Sequence, residues 1–337
     1  MDHVHLDNVL LNEVPDMINL EVFLAALAVL YGFSLVMTRR IERSFPPRGI
    51  RVAVDGGHMH VVDIAPLGVP RGTIILLHGA SGNLADMTGV LGRPLAERGF
   101  RVLAFDRPGS GYSDRPLGAA DAQPDRQAHL VRQAATALGV REAIVLGHSL
   151  AGAMTVNFAL DHADFTRGIV LLAPVTRPWP GGIAAYYHVA ASRWIGPFFN
   201  RLIALPIGLV QINSALIHVF APNPVPPDFI RNTGPTLVLR PKAFGANAED
   251  VEVMHAFVTL QAPREPQVGV PTAIITGDQD GVVLTKIHSY GSAAAIPGAT
   301  LQVLAGVGHS PHHSRPAEVL AGIEALVARV EVGRPLA

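Results

Sequence analysis

A serine, a histidine and an aspartate, each just past an apolar run, are the residues of this sequence best suited to chemistry. Gly147-His148-Ser149-Leu150-Ala151-Gly152 follows the apolar residues 143–146 and precedes residues 151–160, which are rich in Ala, Met, Phe and Leu. A buried strand that feeds a helix through so few residues makes a sharp turn with Ser149 at its tip. Such a turn needs small neighbours, because strand and helix nearly touch there. Its chemical use is to push one hydroxyl out above the sheet, beside a helix N-terminus whose N–H groups can meet developing negative charge. The pattern opens as G-x-S-x, but its fifth position is Ala151 and the second glycine, Gly152, comes one place later.

Three further stretches carry groups that such a serine would need. His78-Gly79-Ala80-Ser81-Gly82 follows the apolar residues 73–77, and a small-residue loop there can turn backbone amides inward. The N–H groups of Ala80 and Leu150 are the expected oxyanion donors. His78 could serve as a base, but a histidine ahead of glycine in such a loop fits better as a loop-shaping hydrogen bonder. Gly277-Asp278-Gln279-Asp280-Gly281 places two acids past the apolar residues 272–276. Asp280 is the expected orienting acid because it lies deeper in the loop, with Asp278 as the alternative, whose other use is a cap. Gly308-His309-Ser310-Pro311-His312-His313 supplies the base His309, with His312 and His313 near enough to compete. A metal cluster of these histidines lacks an upstream partner at ligand spacing, so no metal is expected.

The elements that must position these groups alternate. Residues 50–54 and 59–64 around Asp55-Gly56-Gly57 read as a hairpin. Strands are expected at 73–77, 101–105, 143–146, 168–173, 272–276 and 300–304. Helices are expected at 87–98, 123–138, 151–160, 282–295 and 316–330. Strands alternating with helices imply an α/β domain, a mostly parallel sheet covered on both faces. From Pro174 to about Pro266 the rhythm stops. That stretch holds Trp179, Trp194 and apolar helical patches at 183–189 and 201–220, and reads as a helical cap at 175–266. The core then comprises residues 50–174 and 267–332, and a cap over the carboxyl ends of the strands would wall a pocket.

The chain has 337 residues, 49% of them hydrophobic, a net charge of -1 and no cysteine. Thiolate catalysis, disulfides and zinc–thiolate sites are excluded, and the charge gives no electrostatic case for nucleic acid. Residues 22–37 carry no charge, and from Ile18 the apolar stretch is about 20 residues, about 30 Å of helix, a bilayer's hydrocarbon thickness. No Lys or Arg precedes Arg39, so the basic start of a signal peptide is missing. The stretch 18–38 is therefore expected to be an uncleaved transmembrane anchor between a tail at 1–17 and a linker at 39–49. Asp2, Asp7, Glu13 and Asp16 before it, with Arg39, Arg40 and Arg43 after it, place the catalytic part on the cytoplasmic side. The other reading is an apolar helix packed on the domain or on a second copy.

Five blocks, His78-Gly79-Ala80, residues 106–113 (DRPGSGYS), residues 147–152 (GHSLAG), residues 277–280 (GDQD) and Gly308-His309, resemble the α/β-hydrolase superfamily in the correct order. The resemblance covers about residues 50 to 332. It implies the α/β-hydrolase fold, with Ser149 as nucleophile, His309 as base, Asp280 as acid, Ala80 and Leu150 as oxyanion donors, and no cofactor. It also implies that Asp106 belongs to a structural turn. Subgroups that displace halide or open epoxides carry Asp at the position of Ser149, which argues against both. The expected activity is cleavage of an ester or related acyl bond in a small lipophilic substrate. Lactonase, thioesterase, amidase, carbon–carbon hydrolase and haloperoxidase chemistry share the same residues. A transferase using an alcohol acceptor, or a membrane-tethered ligand-binding protein without turnover, are the other readings.

Overall fold

The computed structural model describes residues 7–332. Eight strands form one sheet in the order β1-β2-β4-β3-β5-β6-β7-β8. They are β1 (Ile50–Val54), β2 (Gly57–Ile64), β3 (Gly72–Leu77), β4 (Phe100–Phe105), β5 (Ala143–His148), β6 (Thr166–Leu172), β7 (Thr272–Gly277) and β8 (Thr300–Leu304). The β1–β2 and β2–β4 pairs are antiparallel and all the others parallel. Asp55-Gly56 makes the hairpin turn, and Gly56 takes a φ of +80°, which glycine adopts without steric cost.

Side chains of the central strands alternate between two cores, as a sheet buried on both faces requires. Ile75, Leu77 and Val145 face a layer made by the helices Pro124–Ala137 and Ala151–Asp161. Ile74, Leu76 and Leu146 face the Leu84–Glu97 region and the closing helix Pro316–Val332. Chain order reverses at β3. From β3 the chain goes to β4 on one side, then returns to lay β5 on the other. Loops leaving the carboxyl ends of β3 and β5 therefore diverge and leave a crevice between them, the place where open parallel sheets bind ligands. The Ala80 and Ser149 loops are those two.

Three elements differ from the sequence-based expectation. The N-terminal helix, Asp7–Ser44, begins inside the expected tail and runs through most of the expected linker at 39–49; residues 1–6 lie outside the described residues. Residues 39–43 are good helix formers, Ile41 is buried, and the helix ends where Phe45 precedes Pro46-Pro47. The expected helix at 87–98 is two short helices, Leu84–Met87 and Arg93–Glu97, joined by a wider turn at Thr88–Gly92. Pro94 has no amide to return to the preceding turn. The expected helix at 282–295 is present only as Ser289–Ala295, because Asp280 Oδ1 draws the amides of Val282 and Val283, at 2.9 and 2.8 Å, into a side-chain turn.

Between β6 and β7 the chain forms helices and no strand of the sheet. The principal ones are Ala185–Ala191, Leu205–Phe220 and Pro241–Gln261. The last, 21 residues long, has no counterpart in the sequence-based reading of this region. Met254 and Val258 from it pack with Val175 and Trp179 onto Leu150, Ala153 and Ala80. The helical segment thus sits directly above the β3–β5 crevice.

Candidate active site

Ser149 stands at the end of β5 with φ +54°, a left-handed conformation that strains a non-glycine residue. The turn is tied on both sides: its amide donates to the Leu172 carbonyl at 2.9 Å, and its carbonyl accepts from Gly152 at 2.8 Å and Val175 at 2.9 Å. A Cβ on Gly147 would fall 2.0 Å from Thr155 Oγ1, and one on Gly152 would fall 2.6 Å from Pro174 Cβ. The second glycine at 152 is thus the position at which helix and sheet approach without room for a side chain, and Ala151 fits in the fully buried place before it. The turn carries this pattern without the fifth-position glycine.

Ser149 Oγ lies 2.8 Å from His309 Nε2, and His309 Nδ1 lies 2.8 Å from Asp280 Oδ2. Asp280 Oδ1 accepts from the two amides described above, which leaves Oδ2 for the imidazole. An ionised carboxylate only accepts, so Nδ1 carries the proton and Nε2 presents its lone pair to the serine hydroxyl. All three residues are buried. Asp278 is exposed and its Oδ1 accepts from the Gly306 amide at 2.7 Å, holding the loop that carries His309. Of the two acids, only Asp280 touches the imidazole.

The loop after β3 comes as close to Ser149 as its backbone permits: a Cβ on Gly79 would sit 2.9 Å from Ser149 Cβ. His78 Nδ1 donates to the Gly79 carbonyl at 2.8 Å, and its Nε2 accepts from the Arg107 amide at 3.0 Å. Burial, helped by the Arg107 charge, pushes its pKa down to about 4, so His78 is neutral and both ring nitrogens are committed to shaping the loop. The Ser81 amide is held by Asn247 Oδ1 at 2.6 Å. Among the described residues, the amides of Ala80 and Leu150 donate to no protein acceptor. Both flank Ser149.

Behind this loop lies a charge cluster that no local motif announced. Arg107, wholly buried, donates to the carbonyls of His78 and Gly79, to Gln127 Oε1 at 2.9 Å and to Asp250 Oδ2 at 2.7 Å. Asp250, equally buried on the Pro241–Gln261 helix, also accepts from Arg115 and Gln127 at 2.8 and 2.9 Å. Arg107 lay in the stretch read as structural, and its partner is 143 residues away. Asp106 is structural in the same sense, accepting from His60 Nδ1 and from the amides of Leu84 and Tyr112.

The profile of the alpha/beta hydrolase fold matches residues 72–316. The chain belongs to that family. This hydrolase is 28% identical to an uncharacterised protein of Mycobacterium tuberculosis over 77% of its own length and 76% of the relative's. It is 26% identical to a 2-hydroxy-6-oxo-6-phenylhexa-2,4-dienoate hydrolase of Burkholderia cepacia, over 70% and 80% of the two chains. A solved structure described as a membrane phospholipase A superposes with a TM-score of 0.63 at 22% identity, covering 97% of this chain and 99% of the other.

Three other histidines of the hydrolase lie around the His309 loop. His148, beside Ser149, places Nε2 2.9 Å from the His309 carbonyl, and burial holds its pKa well below the ordinary value. His312 and His313 meet Asp86, at 3.4 and 2.8 Å. Asp86 is the upstream partner that the sequence did not reveal, and the three offer ligand atoms within 4.8 Å of one another. Burial would raise the Asp86 pKa, but the two imidazoles outweigh it and hold the carboxyl well below its usual range. These contacts tie the Leu84–Met87 helix to the Pro311–Ser314 helix that follows His309, and none of the cluster's ligand atoms belongs to Ser149, His309 or Asp280.

Proposed function

We propose that this hydrolase cleaves an ester or related acyl bond of a lipophilic small molecule through Ser149, His309 and Asp280. The observation that carries the reading is the unbroken pair of 2.8 Å contacts from serine oxygen to imidazole to carboxylate. As Oγ bonds to the carbonyl carbon, its proton passes to His309 Nε2, and Asp280 stabilises the imidazolium formed. The carbonyl oxygen takes the negative charge between the amides of Ala80 and Leu150. His309 then gives the proton to the leaving oxygen, and the acyl group stays on Ser149. Water repeats the sequence, losing its proton to Nε2 and releasing the acid. The lipophilic preference is supported by the cover over Ser149, which comes from Trp179, Val251, Met254 and Phe257.

From Asn19 to Ser44 the N-terminal helix is long and apolar enough to cross a bilayer, and the rest of the chain covers almost none of that span. We read it as a membrane anchor with the catalytic domain on the cytoplasmic side, following its flanking charges. The likeness to the structure described as a membrane phospholipase A, which extends over 97% of this chain, supports the anchor.

A panel of p-nitrophenyl esters of graded chain length, run on the wild type and Ser149→Ala, tests the reading. Turnover should favour medium or long chains and fall by about 10⁴-fold or more in the variant. Turnover retained in Ser149→Ala would refute it. The likeness to the Burkholderia cepacia hydrolase favours carbon–carbon bond cleavage as a second reading, distinguished by turnover of that relative's named substrate with no ester turnover.

A further inference from the structure

We propose that the cap beds into the same bilayer as the N-terminal helix, docking on lipid through Trp194, Ile195, Phe198, Ile203, Ile207 and Val210. These side chains are between 44% and 85% exposed and lie within 17 residues of one another in sequence. The proposal rests on the anchor reading above and adds a second, separate point of attachment.

The depth follows from how the two apolar elements touch. Ser34 is buried, with its hydroxyl on the Arg201 carbonyl, and the Arg201 guanidinium lies 5.3 Å from the Tyr31 ring centroid. Arg39 begins the charged end of the N-terminal helix. At the helical rise, Ser34 sits about 8 Å and Tyr31 about 12 Å from Arg39 along the axis, toward the apolar end. If the arginines stay among the head groups, the Asn200–Ala204 turn is carried to about the 5–10 Å depth at which interfacial helices lie. A cap with a polar face there would be expelled. This one presents an apolar face instead.

Two further observations agree. The Gly196–Phe220 segment is apolar enough to span a membrane, yet it is fixed at its far end. Leu216 and Phe220 are buried, and Phe220 meets Phe229 and His313 with ring centroids 5.0 and 5.5 Å apart. It is held over the domain, so it can lie on a bilayer but not cross one. Between Asp164 and Asp228 the sequence has no acidic residue, while Arg193 is exposed beside Trp194. That sign suits anionic head groups. Arg193 lies 5.2 Å from the Trp194 ring centroid, the pairing of aromatic and cation found at membrane interfaces.

The test uses the full chain reconstituted into phosphatidylcholine–phosphatidylglycerol vesicles, with or without bromine near the top of the acyl chain. Trp194 emission is taken as the difference between wild type and Trp194→Phe, and flotation with the vesicles is scored separately. Bromine should lower the Trp194 signal by about two-fold or more, as expected at interfacial depth. The double variant Phe198→Glu, Val210→Glu should float but lose that quenching. A chain that floats with Trp194 unquenched, or whose double variant is quenched as before, overturns cap docking and leaves the anchor standing. The unquenched case points to a second copy on this face. A chain that does not float overturns both. Neither measurement reads turnover, so the acyl-hydrolase reading is tested apart from them.

Discussion

Replacing Asp250 by leucine removes the carboxylate that the Pro241–Gln261 helix brings to the Arg107 guanidinium. Both side chains are fully excluded from solvent, and Asp250 accepts from Arg107, Arg115 and Gln127 at 2.7, 2.8 and 2.9 Å. Leucine leaves the arginine charge buried with only neutral acceptors, the His78 and Gly79 carbonyls and Gln127. Stranding one member of a buried ion pair costs about 3–5 kcal/mol. The two residues share one interaction, so Arg107→Met with Asp250→Leu should cost about 2 kcal/mol less than the sum of the single changes. Equilibrium urea unfolding of the full chain in detergent, followed by circular dichroism, reads both numbers. Turnover should fall as well, because Arg107 binds the Gly79 carbonyl and so sets the angle of the Ala80 amide. A cost of under about 1 kcal/mol for Asp250→Leu, or additive single changes, would refute the coupling between the Pro241–Gln261 helix and the loop after β3.

Three other outcomes are expected. Asp280→Asn should lower turnover by about 10⁴-fold by presenting the wrong hydrogen-bonding edge to His309, whereas Asp278→Asn, still able to accept from Gly306, should stay close to wild type; equal losses would reverse the assignment. Gly79→Ala pushes a methyl to 2.9 Å from Ser149 Cβ and should cut kcat by about 10²-fold with little change in KM, measured on a short ester. Stability should also fall on acidification. His78 and His288 have pKa values pushed down to about 4 in the folded chain, chiefly by burial, against 6.5 when unfolded. Between those values the unfolded chain binds the extra protons, so the contribution of each neutral imidazole, complete above about 6.5, fades as the pH falls toward 4, by about 3 kcal/mol each. Urea midpoints unchanged from pH 7 to pH 4.5 would contradict this.

What the sequence disclosed, and what it hid, divides by range of contact. Ser149 and Asp280 each follow an apolar run that reads as a buried strand, and His309 follows the last strand of the alternation, Thr300–Leu304, so their place at the strand ends was legible from local pattern. The same holds for the sheet itself, whose central strands are continuous apolar runs bounded by glycine. Asp250 was not legible, since nothing near it in a helix of mixed polarity marks it as buried, and its partner Arg107 comes from the other side of the domain. Asp86 was hidden from His312 and His313 for the same reason. Local competition misled in the other direction at residues 282–288, where helical periodicity lost to the Asp280 side chain. At residues 39–44 a linker was expected, although arginine and glutamate extend a helix readily and the prolines that end it come only at 46 and 47.

The most direct test of Ser149 as the activated nucleophile is covalent labelling of the full chain by a fluorophosphonate, with the modified peptide identified by mass spectrometry. The expected result is a single phosphonylated residue, Ser149, with labelling abolished by Ser149→Ala and slowed by orders of magnitude in His309→Ala. An unlabelled wild-type chain, or a label elsewhere that survives both substitutions, would contradict it.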